Sequence, residues 1–345
     1  MTTGRQRVER ALKREACDRI PCFPLVDVSY AAAHAGRTMA EVQLDPAVHA
    51  AALSQCVRDL PLDGVYVNLC FDAAQAAGAV RRGGQYTVVL DGCLEVRFAE
   101  NDVAAVSHSE VQRLDDPRIE RAELFHPGMM ATFRAVPAEI RRQAAVCVGL
   151  TGAFSQLGFL LGLESLLLAM VDRPEAVHEA LGKRQAVALR QAEEICGAGA
   201  RFLWIGEGMA SASLIGPAMY CRFVLPYERE LAERVRQLGA LTLLHICGNT
   251  TATLDAIAQS NVDGCDVDFP TDWAAAVRVL GPVMALKGNV NPMLFLPNNA
   301  GRLAEACEAA KRLAPTRGFI LSTGCLVPRD STPEAFRIMA GACTA

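Results

Sequence analysis

The run Leu243-Leu244-His245-Ile246-Cys247-Gly248-Asn249 decides how the rest of the chain is read. An apolar stretch ends by presenting an imidazole and a thiol two residues apart, and a glycine follows at once. In a β-strand residues i and i+2 share a face, so both side chains converge on one side of the strand end. Histidine nitrogen and cysteine sulfur are both good zinc ligands, which makes a metal site the first hypothesis.

The same unit, a short apolar strand followed by a helix, extends outward in both directions. Strands are expected at 145–150, 202–207, 241–247, 262–267, 283–288 and 318–322, with amphipathic helices at 174–198, 219–238, 251–259 and 300–313. Short strands alternating with helices imply a parallel sheet. Residues 64–70 add a strand, and the apolar lead-in 20–26 carries Pro21 and Pro24, which suits an extended or edge segment better than a central strand. Seven or eight strands predict an α/β fold of the closed (β/α)8 (TIM) barrel type. No linker or low-complexity stretch divides the chain, so one domain over 1–345 is expected; periodicity alone leaves an open doubly wound sheet as the alternative.

Before the repeating part, Val8, Ala11 and Leu12 recur at helical spacing and predict a short opening helix. Asp45-Pro46 marks a helix start, with Asp45 as N-cap and Pro46 in the first turn. Asp91-Gly92 between two alternating runs predicts an inserted β-hairpin near 86–98. Arg81-Arg82-Gly83-Gly84 reads as a solvated turn ahead of it.

Composition narrows the function. The 345 residues are 51% apolar and 21% charged, with a net charge of −4 and no basic blocks, so nucleic acid and anionic membrane are poor partners. Residues 1–18 are polar and charged, unlike a secretory signal. The most apolar stretch, 157–171, is interrupted by Glu164 and Ser165 and is too short to span a bilayer, so it reads as one buried helix. The 13 cysteines follow no framework of paired spacings, which points to a reducing cytoplasm.

Such barrels build their active sites at the C-terminal ends of the strands. That rule gathers Glu207, His245 and Cys247, Asp266 and Asp268, Asn289, and Cys325 after Leu321-Ser322-Thr323-Gly324. Cys325 supplies a second thiol, so two cysteines and a histidine, with Glu207 as fourth donor, form a zinc-type set. Two thiolates and a carboxylate would leave Zn²⁺ with about −1 net charge, a poor generator of hydroxide but a good holder of a substrate thiolate. Alkyl transfer to or from sulfur is therefore expected ahead of hydrolysis. Cys17, Cys22, Cys56, Cys70, Cys93, Cys147, Cys196, Cys221, Cys265, Cys307 and Cys343 read as small core hydrophobes. His34, His49, His108, His126 and His178 read as surface residues. Gly206-Glu207-Gly208 lacks the third glycine of a dinucleotide fingerprint, Ser211 standing in its place, and is rejected.

Motifs along nearly the whole chain resemble the uroporphyrinogen decarboxylase superfamily, and within it the zinc-dependent corrinoid methyltransferases. They begin with Arg7-Val8-Glu9-Arg10-Ala11-Leu12-Lys13-Arg14 and Asp18-Arg19-Ile20-Pro21, and continue through Val224-Leu225-Pro226-Tyr227 and Leu238-Gly239. They end with Lys287-Gly288-Asn289-Val290-Asn291-Pro292, Ser322-Thr323-Gly324-Cys325-Leu326-Val327-Pro328 and Thr332-Pro333-Glu334. The family's zinc motif, His-x-Cys and a later Gly-Cys, is matched by His245, Cys247 and Cys325; Glu207 matches the acidic position on the preceding strand.

The resemblance implies Zn²⁺ as cofactor and methyl transfer between a corrinoid and a small methyl donor or acceptor, such as coenzyme M or a methoxylated aromatic. The chain has no Asp-x-His-x-x-Gly motif, so the corrinoid is expected on a separate partner protein docking over the barrel mouth. Glu207, Asp72, Asp266, Asp268 and Asn289 are candidates for lining that mouth, Asp72 as a catalytic group and Asp266, Asp268, Asn289 and Arg37 as substrate contacts. The alternative is a tetrapyrrole decarboxylase using Asp72 and Arg37, but the decarboxylase branch's arginine motif survives only as the fragment Ala35-Gly36-Arg37.

Overall fold

Apolar runs of four to seven residues form seven strands that lie side by side in one curled, wholly parallel sheet. The structure is a computed structural model that describes residues 2–344. In chain order the strands are β1 (Gly64–Val67), then, after an insertion, β6 (Ala145–Thr151), β7 (Phe202–Gly206), β8 (Leu241–Ile246), β9 (Gly264–Val267), β10 (Ala285–Val290) and β11 (Phe319–Thr323). The insertion is an antiparallel sheet of β2 (Val80–Arg82), β3 (Gln85–Leu90), β4 (Leu94–Ala99) and β5 (Ala105–Ser109).

The parallel strands follow each other in sequence order, β1-β6-β7-β8-β9-β10-β11. The lead-in forms no regular strand. It runs between β1 and β11 on single hydrogen bonds: Phe23 N–H donates to Leu321 O at 3.0 Å, and Tyr66 N–H to Val26 O at 3.0 Å. Isolated parallel bridges pair Cys22 with Leu321 and Leu25 with Leu326. Pro21 and Pro24 lack the N–H that a regular ladder needs, which is why pairing here is intermittent.

The curl gives the sheet two apolar faces. Inside it, Phe23, Leu25, Tyr66, Ala145, Cys147, Phe202, Leu243, Ala285 and Ile320 pack as one cluster. The opening helix Gly4–Leu12 stops the N-terminal end of this interior with Val8, Ala11 and Leu12. The outer face meets the helices in a second, larger core. Residues along each strand therefore alternate between interior and helix layer while reading as continuous apolar runs.

Several expectations shift. The hairpin is there, with Val88 opposite Val96 and left-handed Asp91 and Gly92 at the turn (φ 52° and 67°). Arg81 and Arg82 belong to β2, however, and the turn is Gly83-Gly84 alone. The apolar stretch 157–171 is not one helix: Ala153–Leu161 and Leu163–Asp172 meet at a 109° bend. Gly162 makes the corner at φ 84°, a conformation that a side chain would strain. Among the described residues no single helix is long and apolar enough to cross a membrane. His49 is wholly buried and His126 nearly so, against a surface assignment, while Cys221 is exposed.

Asp27 gives the fold a pH dependence. Its Oδ1 accepts the Ser29 N–H at 3.0 Å and caps the helix Val28–His34, while its Oδ2 is buried without a partner. Burial pushes its pKa up to about 7. The folded protein holds this proton more tightly than the unfolded chain does, so the stability from Asp27 is full at low pH and is lost as pH rises from about 4 toward 7. Asp27→Asn keeps the capping oxygen and removes the charge. In scanning calorimetry it should raise the melting temperature by about 2 °C or more at pH 8 and by much less at pH 4; an equal shift at both would count against this assignment.

Candidate metal centre

The candidate centre forms where β8 and β11 end. His245 is the last inward-facing residue of β8, and Cys247 lies just beyond the strand on the same side. Cys325 follows β11 after Gly324, whose position tolerates no side chain: a Cβ there would sit 2.2 Å from the Phe269 backbone nitrogen. That close approach brings the β11 end against the loop after β9. The ligand atoms of His245, Cys247 and Cys325 all lie within 4.8 Å of one another, and among the described residues no other such group of three gathers as closely. His245 is buried, Cys325 partly covered and Cys247 exposed, so the cluster has a fixed base and an open rim.

The imidazole is held in one tautomer. Its Nδ1 lies 3.0 Å from the Asp266 backbone carbonyl, which can only accept, so Nδ1 carries the hydrogen and Nε2 is left bare. Nε2 lies 3.4 Å from the Cys247 sulfur. The edge of a zinc tetrahedron with bonds of ~2.1 Å to nitrogen and ~2.3 Å to sulfur is roughly 3.6 Å. These three donors therefore fit zinc with little adjustment. Three protein ligands would leave a fourth position open, as catalytic zinc sites do and structural ones do not.

The two thiols shift each other's titration in opposite directions. The hydrogen bond from Cys325 pulls the Cys247 thiol below its ordinary range, and the same contact, with burial, pushes Cys325 up. Burial alone would lower the His245 pKa, but the Cys325 contact and the Asp266 charge outweigh it and the net shift is upward.

Glu207 is not part of the cluster. Its Oε2 accepts from the Ser155 N–H at 2.9 Å and the Ser155 hydroxyl at 2.7 Å, and its Oε1 from the Phe154 N–H at 3.3 Å. The helix Ala153–Leu161 has Gly152 at its N-cap, with no side chain to offer, and a Cβ there would lie 1.9 Å from Glu207 Oε1. Glu207 thus caps this helix from the neighbouring strand, where the helix dipole favours its charge. Burial still raises its pKa to about 7.

The other expected residues are also redistributed. Asp266 is fully buried inside the sheet rather than at the rim: its Oδ1 accepts from Lys287 Nζ at 2.8 Å and its Oδ2 from the Trp204 indole at 3.2 Å. Asp268 accepts the Gly248 N–H at 2.6 Å and so pins the residue after Cys247. Asn289 donates to the Thr271 carbonyl at 3.2 Å. Asp72 caps the helix Ala73–Ala77 through the Gln75 N–H. Arg37 is exposed and pairs with Glu41 at 3.4 Å. Of these five only Asp266 touches a clustered ligand, through its backbone carbonyl at His245 Nδ1.

Sequence reasoning missed four supporting residues. Trp204 lies flat on His245, ring centroids 5.2 Å apart and planes 22° from parallel. Ser155 holds Glu207, and Lys287 and Ser322 sit beneath the cluster. The available signal was Lys287, a charge in an apolar strand; a lysine is almost never buried unless paired. Beside the centre, a cavity of about 700 Å³ opens between β5 and the bent helix pair, lined in part by Leu69, Phe125, Phe159, Leu161 and Met209. The loop after β7 separates it from the cluster, with Met209 on the cavity and neighbouring Gly208 against Cys247: a Cβ at Gly208 would lie 3.6 Å from the Cys247 sulfur.

Known proteins resemble the chain in the same terms. The uroporphyrinogen decarboxylase family model matches residues 3–345. A methylcobamide:CoM methyltransferase, MtbA, from Methanosarcina acetivorans is 33% identical over 137 residues, 40% of this chain and 39% of that protein. A uroporphyrinogen decarboxylase from Gloeobacter violaceus is 30% identical over 238 residues, 64% of this chain and 67% of that protein. The chain thus spans about two-fifths of the first relative and two-thirds of the second. A solved methyltransferase from Methanosarcina mazei superposes with a TM-score of 0.82 at 19% identity, covering 99% of this chain and 98% of that one, and so shares the fold.

The thiol pair is testable without a metal. Alkylation of the metal-free protein, followed by mass spectrometry across pH, should show Cys247 reacting with a midpoint below that of an ordinary thiol. Cys325→Ala removes the hydrogen bond and should move that midpoint upward, since the remaining influences on Cys247, burial and the charges of Asp268 and Asp266, all raise it. An unchanged midpoint would mean that the thiols do not interact.

Proposed function

The chain belongs to the uroporphyrinogen decarboxylase family, and we propose that within it this protein is a zinc-dependent methyltransferase, moving a methyl group between a corrinoid protein and a small substrate. The observation that carries the proposal is the convergence of His245, Cys247 and Cys325 within 4.8 Å, with the imidazole tautomer set so that Nε2 faces the Cys247 sulfur. Methyltransferases among the relatives support it.

Zinc, when bound by these three residues, supplies Lewis acidity that keeps a substrate thiol ionised near neutral pH or polarises an ether oxygen. The chain's own residues do the rest. His245 fixes the base of the site, Cys247 and Cys325 contribute the two negative charges that offset those of the metal, and the open rim admits the substrate heteroatom. Asp268 holds the Gly248 loop so that Cys247 keeps its place. With Glu207 committed to its helix, the set is neutral overall rather than anionic, and the fourth position is left to substrate.

The same proposal takes the scaffold as a single (β/α)8 barrel in which the proline-bearing lead-in stands for one stave. The corrinoid would arrive on a partner protein at the C-terminal face. The cavity beside the centre suits the body of a small substrate, and a cytoplasmic location is part of the same proposal. A decarboxylase using Asp72 and Arg37 is disfavoured, because Asp72 is engaged as a helix cap and Arg37 lies exposed against Glu41.

Metal analysis and a methyl-transfer assay decide between the two. The purified protein should carry about one zinc per chain and should demethylate methylcobalamin in the presence of coenzyme M or another thiol, followed in the visible spectrum. Cys247→Ala should lose the metal and the transfer while keeping the circular dichroism of the folded chain. Uroporphyrinogen decarboxylation by a zinc-free protein would overturn the proposal.

A further inference from the structure

Lys287 lies in the middle of β10, its Cα opposite Asp266 on β9 and Ile320 on β11. Its side chain is fully buried in the interior of the curled sheet. The ammonium sits 5.3 Å from the centroid of the Phe23 ring and 5.4 Å from that of Tyr66. Packing alone would be served there by a leucine or methionine, without the cost of removing a charge from water. Its contacts point to a role beyond packing, because each leads to one half of the candidate centre.

On one side Lys287 Nζ donates to Asp266 Oδ1 at 2.8 Å. The other oxygen of that carboxylate holds the Trp204 indole, whose ring lies on the His245 imidazole. The backbone carbonyl of Asp266 takes the Nδ1 hydrogen of the same imidazole. On the other side Lys287 Nζ donates to Ser322 Oγ at 2.6 Å. Ser322 stands three residues before Cys325, on the strand whose end places that thiol. One buried ammonium therefore ties the strand that fixes His245 to the strand that fixes Cys325.

We infer that Lys287 is the positioning residue of the His245–Cys247–Cys325 centre. Through Asp266 it keeps the imidazole with Nδ1 protonated and Nε2 bare, and through Ser322 it sets the approach of Cys325 before any metal arrives. The inference rests on the cluster being a metal site, and its consequence for the imidazole can be read without one.

The test compares wild type with Lys287→Met and with the double variant Lys287→Met/Asp266→Asn. The double variant removes both charges, keeps the Asp266 carbonyl, and guards against misfolding caused by one unpaired buried carboxylate. In the metal-free proteins, ¹⁵N NMR of His245 at a pH where the ring is neutral should show a single Nδ1–H tautomer in wild type. In the variants the carbonyl remains, but with the Asp266 segment no longer anchored its 3.0 Å contact to Nδ1 should lengthen and admit some Nε2–H form. In chelator competition the variants should bind zinc about 10- to 100-fold more weakly, the range seen when groups that orient metal ligands are lost. A folded variant with the wild-type tautomer and the wild-type zinc affinity overturns the inference. A wild-type protein that binds no zinc overturns the metal reading of the cluster, and the imidazole signals alone then decide for or against Lys287.

Discussion

A lysine and an aspartate, both fully buried and 2.8 Å apart, sit at the centre of this protein, and the candidate site is built outward from them. Taking two charges out of water is expensive, and their attraction repays it only when the geometry is good and the remaining polar atoms are satisfied. Here Asp266 also accepts the Trp204 indole and Lys287 also donates to Ser322, so the carboxylate oxygens and the ammonium are each engaged. Removing one partner of such a pair costs about 3–5 kcal/mol, which explains how a polar group persists in an interior otherwise filled by Tyr66, Phe23, Leu243 and Ile320. The arrangement fixes the orientation of His245, and the rest of the centre follows from that orientation.

The curled parallel sheet turns this local order into an open site. All strand ends point the same way, so residues far apart in sequence, His245 and Cys325, meet at one rim. Glu207, just past the end of the strand next to His245, is drawn off instead by a helix whose own cap residue is a glycine. A carboxylate at the centre would have closed the coordination shell and added charge. Its diversion leaves three candidate ligands, two of them soft sulfur, and one position on the solvent side. Such a set suits a heteroatom that must be held and released more than a water that must be ionised.

Much of this was legible in the sequence, and the exceptions have physical causes. The strand at 241–247 announced itself because parallel strands covered on both faces read as apolar runs, and His245 and Cys247 broke that run at its end. Cys325 was legible from its place just past the apolar strand at 318–322, and the order of the motifs then matched it to the same set. The lead-in was harder to place, since Pro21 and Pro24 permit pairing without a regular ladder. The helix pair around Gly162 was hidden because a left-handed glycine turns the chain without any change in hydropathy. The roles of Glu207 and Asp266 were misplaced for a common reason: strand-end position shows which residues can reach the rim, but not which partners compete for them. Ser155 and Lys287, the residues that won that competition, lie 52 and 21 positions away in the chain.

The central claim is that His245, Cys247 and Cys325 bind one zinc and leave a place for substrate sulfur. X-ray absorption at the zinc edge tests it most directly, on the purified protein before and after adding a thiol substrate such as coenzyme M. The expected zinc shell holds two sulfurs and a histidine nitrogen with one lighter donor, and gains a third sulfur when the thiol is added. A shell of four protein donors that the thiol leaves unchanged, or a protein that retains no zinc, would contradict it.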